Sequence, residues 1–515
     1  MEDSPVLNVA AEIVRAGDDA TPALRYRSDS ERLEVSYGEL RRRVGQVASA
    51  LARLGVEEEQ RVLVLLPDSP EYVYSFLGAI RMGAVAVLVN TFLRPADYLP
   101  FVRETRARAV ITTEAIAAVL VPETRSLRHA PVVLTAGPGR SGSFWREIRE
   151  EAPSPEPFPT HPDDPAFWLY SSGTTGRPKG VVHAHRAIAH AVASYGRHVL
   201  EMRSGDVACA TSKLFFAYGL GASLYFPLSA GACAVLSPEP FAPARTWKIL
   251  AEERPSVFFA VPSAYRALLD QAPPDAREAV SPLRRLLSAG EALPEAIFLE
   301  WKERFGQEIL DGIGSTEAAH IFLSNRAGEC VPGTLGRPVP GYDLRIVDEH
   351  GAPVAKGEPG ALLVRGESIA TGYWQRPGAT RTAFRGEWLA TGDQAVENAD
   401  GTFRVLGRTD DMLKVSGQWV SPVEVEAVVA AVEGVRECAV VGKFGESGLT
   451  ELVACVVAAE HEGIGARIDA ACAANLPRFK RPKRVVLLDA LPRTATGKVQ
   501  RFLLRERASK VADLP

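Results

Sequence analysis

Ser171-Ser172-Gly173-Thr174-Thr175-Gly176-Arg177-Pro178-Lys179-Gly180 is the stretch that most limits how this chain can fold. An apolar run, Ala166 to Tyr170, leads into it and reads as a buried strand. Val181-Val182-His183 follows, then a helical pattern from His185 to Val199. A loop placed between two strands must turn tightly, and its glycines permit backbone with φ > 0. Its four hydroxyls and exposed N–H groups can then wrap an anion, with Lys179 or Arg177 adding charge. A triphosphate suits such a cradle, although the P-loop pattern G-x-x-x-x-G-K-S/T is absent. The same residues would also make a solvated turn. The rest of the chain decides between the two.

Upstream, Leu40, Val44, Val47, Leu51 and Leu54 fall on one helical face, and Gly55 ends the helix. Arg61 to Leu66 reads as a buried strand. Asp68 or Ser69 then caps a helix with Pro70 in its first turn and Phe76, Leu77 and Ile80 on its buried side. Ala84 to Val89 is the next strand, which completes a βαβ unit. Val110-Ile111-Thr112 and Val132-Val133-Leu134 are shorter strands, and a Pro-rich connector runs from Ala152 to Pro165.

Downstream, three strands end in small-residue turns. Ser256 to Val261 precedes a helix from Ala264; Leu286-Leu287-Ser288 runs into Ala289-Gly290-Glu291, with a helix around Ile297 to Phe305; Ile309-Leu310 runs into Asp311-Gly312-Ile313-Gly314. Ligands of open parallel sheets sit at such carboxyl ends, so the turns predict one shared crevice. From Gly333 the chain becomes rich in Gly, Pro and short strands, a β-rich subdomain. After Gly407-Arg408-Thr409-Asp410 the pattern changes again. Ser421-Pro422-Val423-Glu424 is a capping box ahead of a valine stripe, Val425, Val428, Val429 and Val432. Strands at Cys438–Val441, Leu452–Ala458 and Val485–Leu488 complete a small C-terminal domain.

The totals exclude several classes. A length of 515 residues suggests roughly three to four domain-sized units. A net charge of -4 gives no basic field for nucleic acid. No apolar run approaches the ~20 residues of a membrane helix, and the acidic start lacks a signal-peptide n-region. The six cysteines form no C-x-x-C pair and read as reduced core thiols of a cytoplasmic protein.

Five motifs occur in order: the glycine loop, Gly314-Ser315-Thr316-Glu317, Thr391-Gly392-Asp393, Gly407-Arg408-Thr409-Asp410, and Pro492-Arg493-Thr494-Ala495-Thr496-Gly497-Lys498. Together they resemble the adenylate-forming superfamily of acyl-CoA ligases, adenylation domains and luciferases, over nearly the whole chain. The resemblance implies an α/β fold: a large multi-subdomain N-terminal domain (residues 1–409) with mainly parallel sheets and a β-rich subdomain, and a small mobile α+β C-terminal lid (residues 410–515). It implies ATP, Mg2+ and coenzyme A. Ser171, Ser172, Gly173, Thr174, Thr175, Gly176 and Lys179 would hold the phosphates. Glu317 would hold Mg2+, Thr316 would touch the α-phosphate, and Gly290, Glu291, Asp311 and Gly312 would border adenine. Asp393 would accept the ribose hydroxyls beside Arg408. Lys498 would bridge the substrate carboxylate and the α-phosphate. Asp410 would be the hinge of a domain rotation that brings Lys414, Ser416 and Gly417 to line a pantetheine tunnel.

Lys213 to Gly221, Glu317 to Phe322, Asp411 to Gly417 and Leu491 to Arg501 resemble the benzoate-CoA ligase branch. By that likeness Phe216, Ala217, Tyr218, Gly219, His320 and Ile321 line an aryl slot, with the Phe215-Phe216 pair offering a gate. Ala318 and Ala319 are smaller than their counterparts in that branch, and Gln418 is more polar, so room for a ring substituent is expected there. His320 has three readings: a bond to the carboxylate, a bond to a ring hydroxyl, or a place in the pocket wall. Arg478 to Arg484 is a basic run, either a solvated face or an attractor of the CoA 3′-phosphate. The expected enzyme is an AMP-forming aryl-CoA ligase, monomeric or homodimeric. The competing reading loads an aryl group onto a carrier protein.

Overall fold

In the computed structural model the described residues are 6–148, 156–171, 178–408, 413–415, 418–444, 450–493 and 499–510. Strands Arg61–Leu65 and Val85–Leu88 pair in parallel and are joined by helix Pro70–Arg81. Ser69, not Asp68, caps that helix: its Oγ accepts from Tyr72 N at 3.2 Å. Such a cap contributes about 1 kcal/mol. Asp68 is turned elsewhere, as described below.

This βαβ unit belongs to a seven-stranded sheet. Its order is Gly372–Tyr373, Lys179–Ala184, Pro165–Ser171, Val85–Leu88, Arg61–Leu65, Ala109–Thr112 and Val132–Thr135. A nine-stranded sheet carries Val207–Ala210, Val257–Ala260, Arg285–Ser288 and Ile309–Gly314 as parallel neighbours.

Continuous apolar strands arise where both faces of a sheet are covered. Val62 and Val64 join Phe259, Leu287 and the helix residues Leu40, Val47, Phe76 and Leu77 in one core shared by both sheets. Leu63 and Leu65 point the other way, into a second core with Val87 and Val110. Phe258 and Leu286 likewise face a third, with Trp301 and Tyr265. The period-two alternation of side chains therefore places one sheet on each side of a common core.

Beyond residue 333, Asp343–Val347, Gly360–Arg365, Trp388–Glu397, Phe384–Arg385 and Phe403–Arg408 form an antiparallel five-stranded sheet. The C-terminal part has a three-stranded sheet, Val435–Phe444, Thr450–Ala458 and Arg484–Leu487, with a core on each face. This is the expected α/β architecture of a large domain with parallel sheets and a small C-terminal domain. Ser421 Oγ accepts from Glu424 N at 3.2 Å, but the Glu424 carboxylate pairs with Lys480 at 2.7 Å, so only half of the capping box forms. The helix expected from His185 to Val199 is α-helical only to Ala191 and continues as π-helix from Val192 to Leu200.

All six cysteines are free, and burial pushes the Cys209, Cys233 and Cys330 thiols up to about 12. They are unreactive thiols, as their lack of motif suggested. Among the described residues no helix is long and apolar enough to cross a membrane.

Candidate active site

Residues 172–177 of the glycine loop lie outside the described residues, but its frame is clear. Pro165–Ser171 and Lys179–Ala184 form an antiparallel hairpin, with Ser171 opposite Lys179 and Tyr170 opposite Gly180. Gly372–Tyr373 adds to the outer strand, Tyr373 opposite Val181. Tyr373 has two further contacts. Its ring lies 5.0 Å beneath Lys179 Nζ, and its hydroxyl donates to Glu317 Oε1 at 2.9 Å. One side chain thus ties the end of the phosphate loop to the carboxylate expected to hold a metal.

The turn carrying that carboxylate is unusually well held. Ser315 Oγ accepts from Ala318 N at 3.2 Å. Four successive carbonyls then each receive a donor from elsewhere. His183 Nε2 donates to Thr316 O at 2.8 Å, Ala370 N to Glu317 O at 2.8 Å, Ser368 Oγ to Ala318 O at 2.8 Å, and Tyr225 hydroxyl to Ala319 O at 3.4 Å. Because a carbonyl only accepts, His183 must carry its proton on Nε2. Burial lowers its pKa to about 4, so the ring stays neutral at pH 7. Ala319 adopts φ +63°, a left-handed conformation that costs a non-glycine residue energy and that these contacts sustain. Reasoning from sequence missed His183, Ser368 and Tyr373. A histidine in the otherwise apolar run Val181-Val182-His183-Ala184 was the available signal for the first.

Asp393 and Arg408 face each other across adjacent strands, with Arg408 Nη1 3.3 Å from Asp393 Oδ1 and 2.6 Å from Thr391 O. Gly392 has φ +77°, and a Cβ there would stand 2.5 Å from the Arg408 guanidinium. The left-handed conformation is what favours glycine there.

Asp311 lies on the parallel strand next to Ser288. Its Oδ2 accepts from Leu293 N at 3.1 Å, and burial raises its pKa to about 7. Its carboxylate is directed inward, so it can present only backbone to a nucleotide. Gly290 turns at φ +97° immediately before Glu291. Glu291 Oε1 is 3.2 Å from Arg493 Nη1, while Arg493 Nη2 is 3.3 Å from Glu437. Arg493 and Val499 form an antiparallel bridge, so they close the base of the segment that ends in Lys498. That base is pinned beside Gly290-Glu291. Lys498 itself, Asp410, Ser416 and Gly417 lie outside the described residues, and so do the side chains of Lys414 and Gln418.

The expected aryl slot is assembled by the short helix Ala217–Leu220 and the strand Ile321–Ser324. His320 Nε2 donates to Tyr218 O at 3.3 Å. The His320 ring is surrounded by Phe226 (4.7 Å), Tyr195 (5.2 Å), Tyr218 (5.5 Å) and Tyr225 (6.2 Å). Burial lowers its pKa to about 3, so it is neutral, and its protonated nitrogen is already engaged. A carboxylate would find no donor on the other nitrogen. Ile321 is buried beside it, and Phe216, Ala217 and Tyr218 are half-buried. Gly219 has no room for a side chain: a Cβ would lie 2.1 Å from Lys213 O. Ala318 and Ala319 are 0% and 1% exposed, so the volume their small side chains save is interior.

The basic run divides. Lys480 pairs with Glu424, and Arg481 donates to Leu476 O and Ala473 O at the end of a helix. Arg478 and Lys483 are exposed.

Residues 14–374 match the AMP-binding enzyme family and residues 424–498 the AMP-binding enzyme C-terminal domain, and the chain belongs to that family, the adenylate-forming ligases. Within it the chain falls in the benzoate-CoA ligase branch. It is 43% identical to the benzoate–CoA ligase of Thauera aromatica, over 91% of this chain and 90% of the relative. Its fold matches the crystal structure of a benzoate CoA ligase from Burkholderia xenovorans LB400, with TM-score 0.89, 40% identity, and 97% of this chain and 100% of that chain covered. It also matches the anthranilate CoA ligase AuaEII in complex with anthranoyl-AMP, with TM-score 0.92, 37% identity and 98% of each chain covered.

Proposed function

We propose that this protein is an ATP-dependent aryl-CoA ligase that converts benzoate or a simple substituted benzoate to its CoA thioester. The route runs through an aryl-adenylate, with release of AMP and pyrophosphate. The observation that carries this reading is the pairing of an adenylate-forming site with a ring-lined slot on Ala217–Leu220 and His320, in a chain 43% identical to a benzoate–CoA ligase.

The first half-reaction brings two anions together, so charge must be neutralised where it develops. The glycine loop would hold the β- and γ-phosphates with Lys179. Glu317 suits Mg2+. Its Oε1 takes the Tyr373 hydroxyl, which leaves Oε2 for a hard cation. When bound, Mg2+ would neutralise phosphate charge. His183, Ser368, Ala370 and Tyr225 fix the backbone from Thr316 to Ala319, which would help hold the Thr316 hydroxyl for the α-phosphate. Asp393 would accept the ribose hydroxyls, beside Arg408. Gly290, Glu291, Asp311 and Gly312 would border adenine. Lys498 would reach the carboxylate and α-phosphate from a loop whose base Arg493 pins to Glu291. The rings packed around a neutral His320 and the small residues beside them would suit a flat aromatic acid.

The second half-reaction would need Lys498 withdrawn and a thiol admitted. A rotation of the small domain (residues 410–515) about Asp410, bringing Lys414, Ser416 and Gly417 to the thiol path, supplies this. Arg478 and Lys483 are the exposed charges available to a CoA phosphate.

The acid class is tested by pyrophosphate release with benzoates carrying hydroxy, amino or halo groups. Benzoate and small substituted benzoates are expected to be turned over, and straight-chain fatty acids are not. Preference for an aliphatic acid would overturn the aryl reading.

A further inference from the structure

We infer that Asp68 is a positioning residue for the acid: it clamps the loop that carries the aryl slot onto the other large sheet, and so sets affinity for the aryl acid without touching it. The inference rests on the aryl-ligase reading for the identity of the slot.

Asp68 stands just past the carboxyl end of strand Arg61–Leu65 in the seven-stranded sheet. The slot residues Phe216 to Gly219 belong to the nine-stranded sheet, in the loop and helix after Val207–Ala210. Asp68 is 4% exposed, and its Oδ1 accepts from Leu214 N at 2.9 Å, across 146 residues of sequence. Burial raises its carboxyl to about 6, and the charge of Lys213 pulls it back. Burying a carboxylate is costly, and a helix cap does not explain it here, because Ser69 does the capping. What the carboxylate does hold is the backbone of residue 214.

From residue 214 the restraint passes into the slot through short, stiff connections. Phe216 N donates to Lys213 O at 3.0 Å, closing a tight turn. Gly219 packs on the same carbonyl so closely that a Cβ would lie 2.1 Å away. Lys213 Nζ donates to Ser237 O, anchoring the turn on its own sheet. A second contact comes from the side of Asp68: Phe92, which follows strand Val85–Leu88, sets its ring edge-on to Phe215 at 5.4 Å, and Phe215 meets Phe216 at 4.5 Å. The slot loop is therefore held from the opposite sheet at two points, one polar and one aromatic. Among the described residues, no hydrogen bond or ring contact joins these residues to the Glu317 turn, so the clamp is expected to act on the acid rather than on the nucleotide.

The test is the Michaelis constant for benzoate and for ATP, measured by pyrophosphate release, in Asp68→Ala, Asp68→Asn and Phe92→Ala. Losing a buried hydrogen bond to a charged group predicts a rise of roughly ten- to a hundredfold in the benzoate KM of Asp68→Ala, with the ATP KM unchanged. Asp68→Asn keeps an oxygen that can accept from Leu214 N and is expected to recover most of the affinity. Phe92, exposed and dispensable to the core, should give a smaller rise in the same constant alone. Equal shifts in both constants, or an Asn variant as impaired as the Ala variant, would overturn the clamp. If Asp68→Ala does not fold, an unchanged benzoate KM in Phe92→Ala overturns it. A wild-type enzyme that ignores every benzoate would overturn the aryl reading itself, before any variant is compared.

Discussion

Lys498→Ala is expected to lower adenylate formation by about 100- to 1,000-fold, the cost of removing one preorganised donor from a developing charge. Thioester formation from preformed aryl-adenylate should change little. The split follows from the chemistry of the two steps. Attack of a carboxylate on a triphosphate needs a cation between them, and a lysine is a compact point charge suited to bridging both. Once the adenylate exists, the carboxylate–triphosphate repulsion that this cation offsets is gone. The described residues support the placement. Arg493 fixes the base of the lysine segment against Glu291, while Glu437 holds the same guanidinium from within the C-terminal domain. The measurement is pyrophosphate exchange beside single-turnover thioesterification of supplied adenylate. Equal loss in both would contradict the assignment of Lys498 to the first step.

Asp410→Pro gives the opposite pattern. Proline fixes φ near -65° and removes a donor, so it stiffens a hinge. Arg493, which precedes the lysine segment, already pairs with Glu291 in this structure, so adenylation should survive within a small factor. Thioester formation needs the other orientation and is expected to fall by about 100-fold, the scale of effect when reacting groups are held out of place. Loss of both half-reactions together would sink the division of labour between the two orientations.

The local features of the fold were legible in the sequence, and the distant ones were not. The helix Pro70–Arg81 could be placed from its proline, its caps and its apolar stripe, all within a dozen residues. The parallel neighbours Val257–Ala260, Arg285–Ser288 and Ile309–Gly314 followed from apolar runs ending in small residues. Choosing Ser69 over Asp68 as the cap was not possible, because what removes Asp68 from that role is Leu214, far along the chain. The same limit hid the anchoring of the Glu317 turn. Its four carbonyls are held by residues 183, 225, 368 and 370, brought together only by the topology. Tyr373 escaped notice for that reason too: an isolated Gly372-Tyr373-Trp374 carries no sign that it will become the edge strand beside the phosphate hairpin. The expectation that Ala318 and Ala319 widen the slot treated them as lining residues. Both are buried, as His320 and Ile321 are, and side-chain size in sequence does not say which way the space beside them opens.

The central claim is that the activated acid is passed to free coenzyme A. The most direct test incubates the purified protein with benzoate, ATP, Mg2+ and CoA, with no carrier protein, and follows benzoyl-CoA and AMP by liquid chromatography and mass spectrometry. Benzoyl-CoA is expected to form in step with AMP. Pyrophosphate release with benzoyl-AMP accumulating, and no thioester at any CoA concentration, would contradict it.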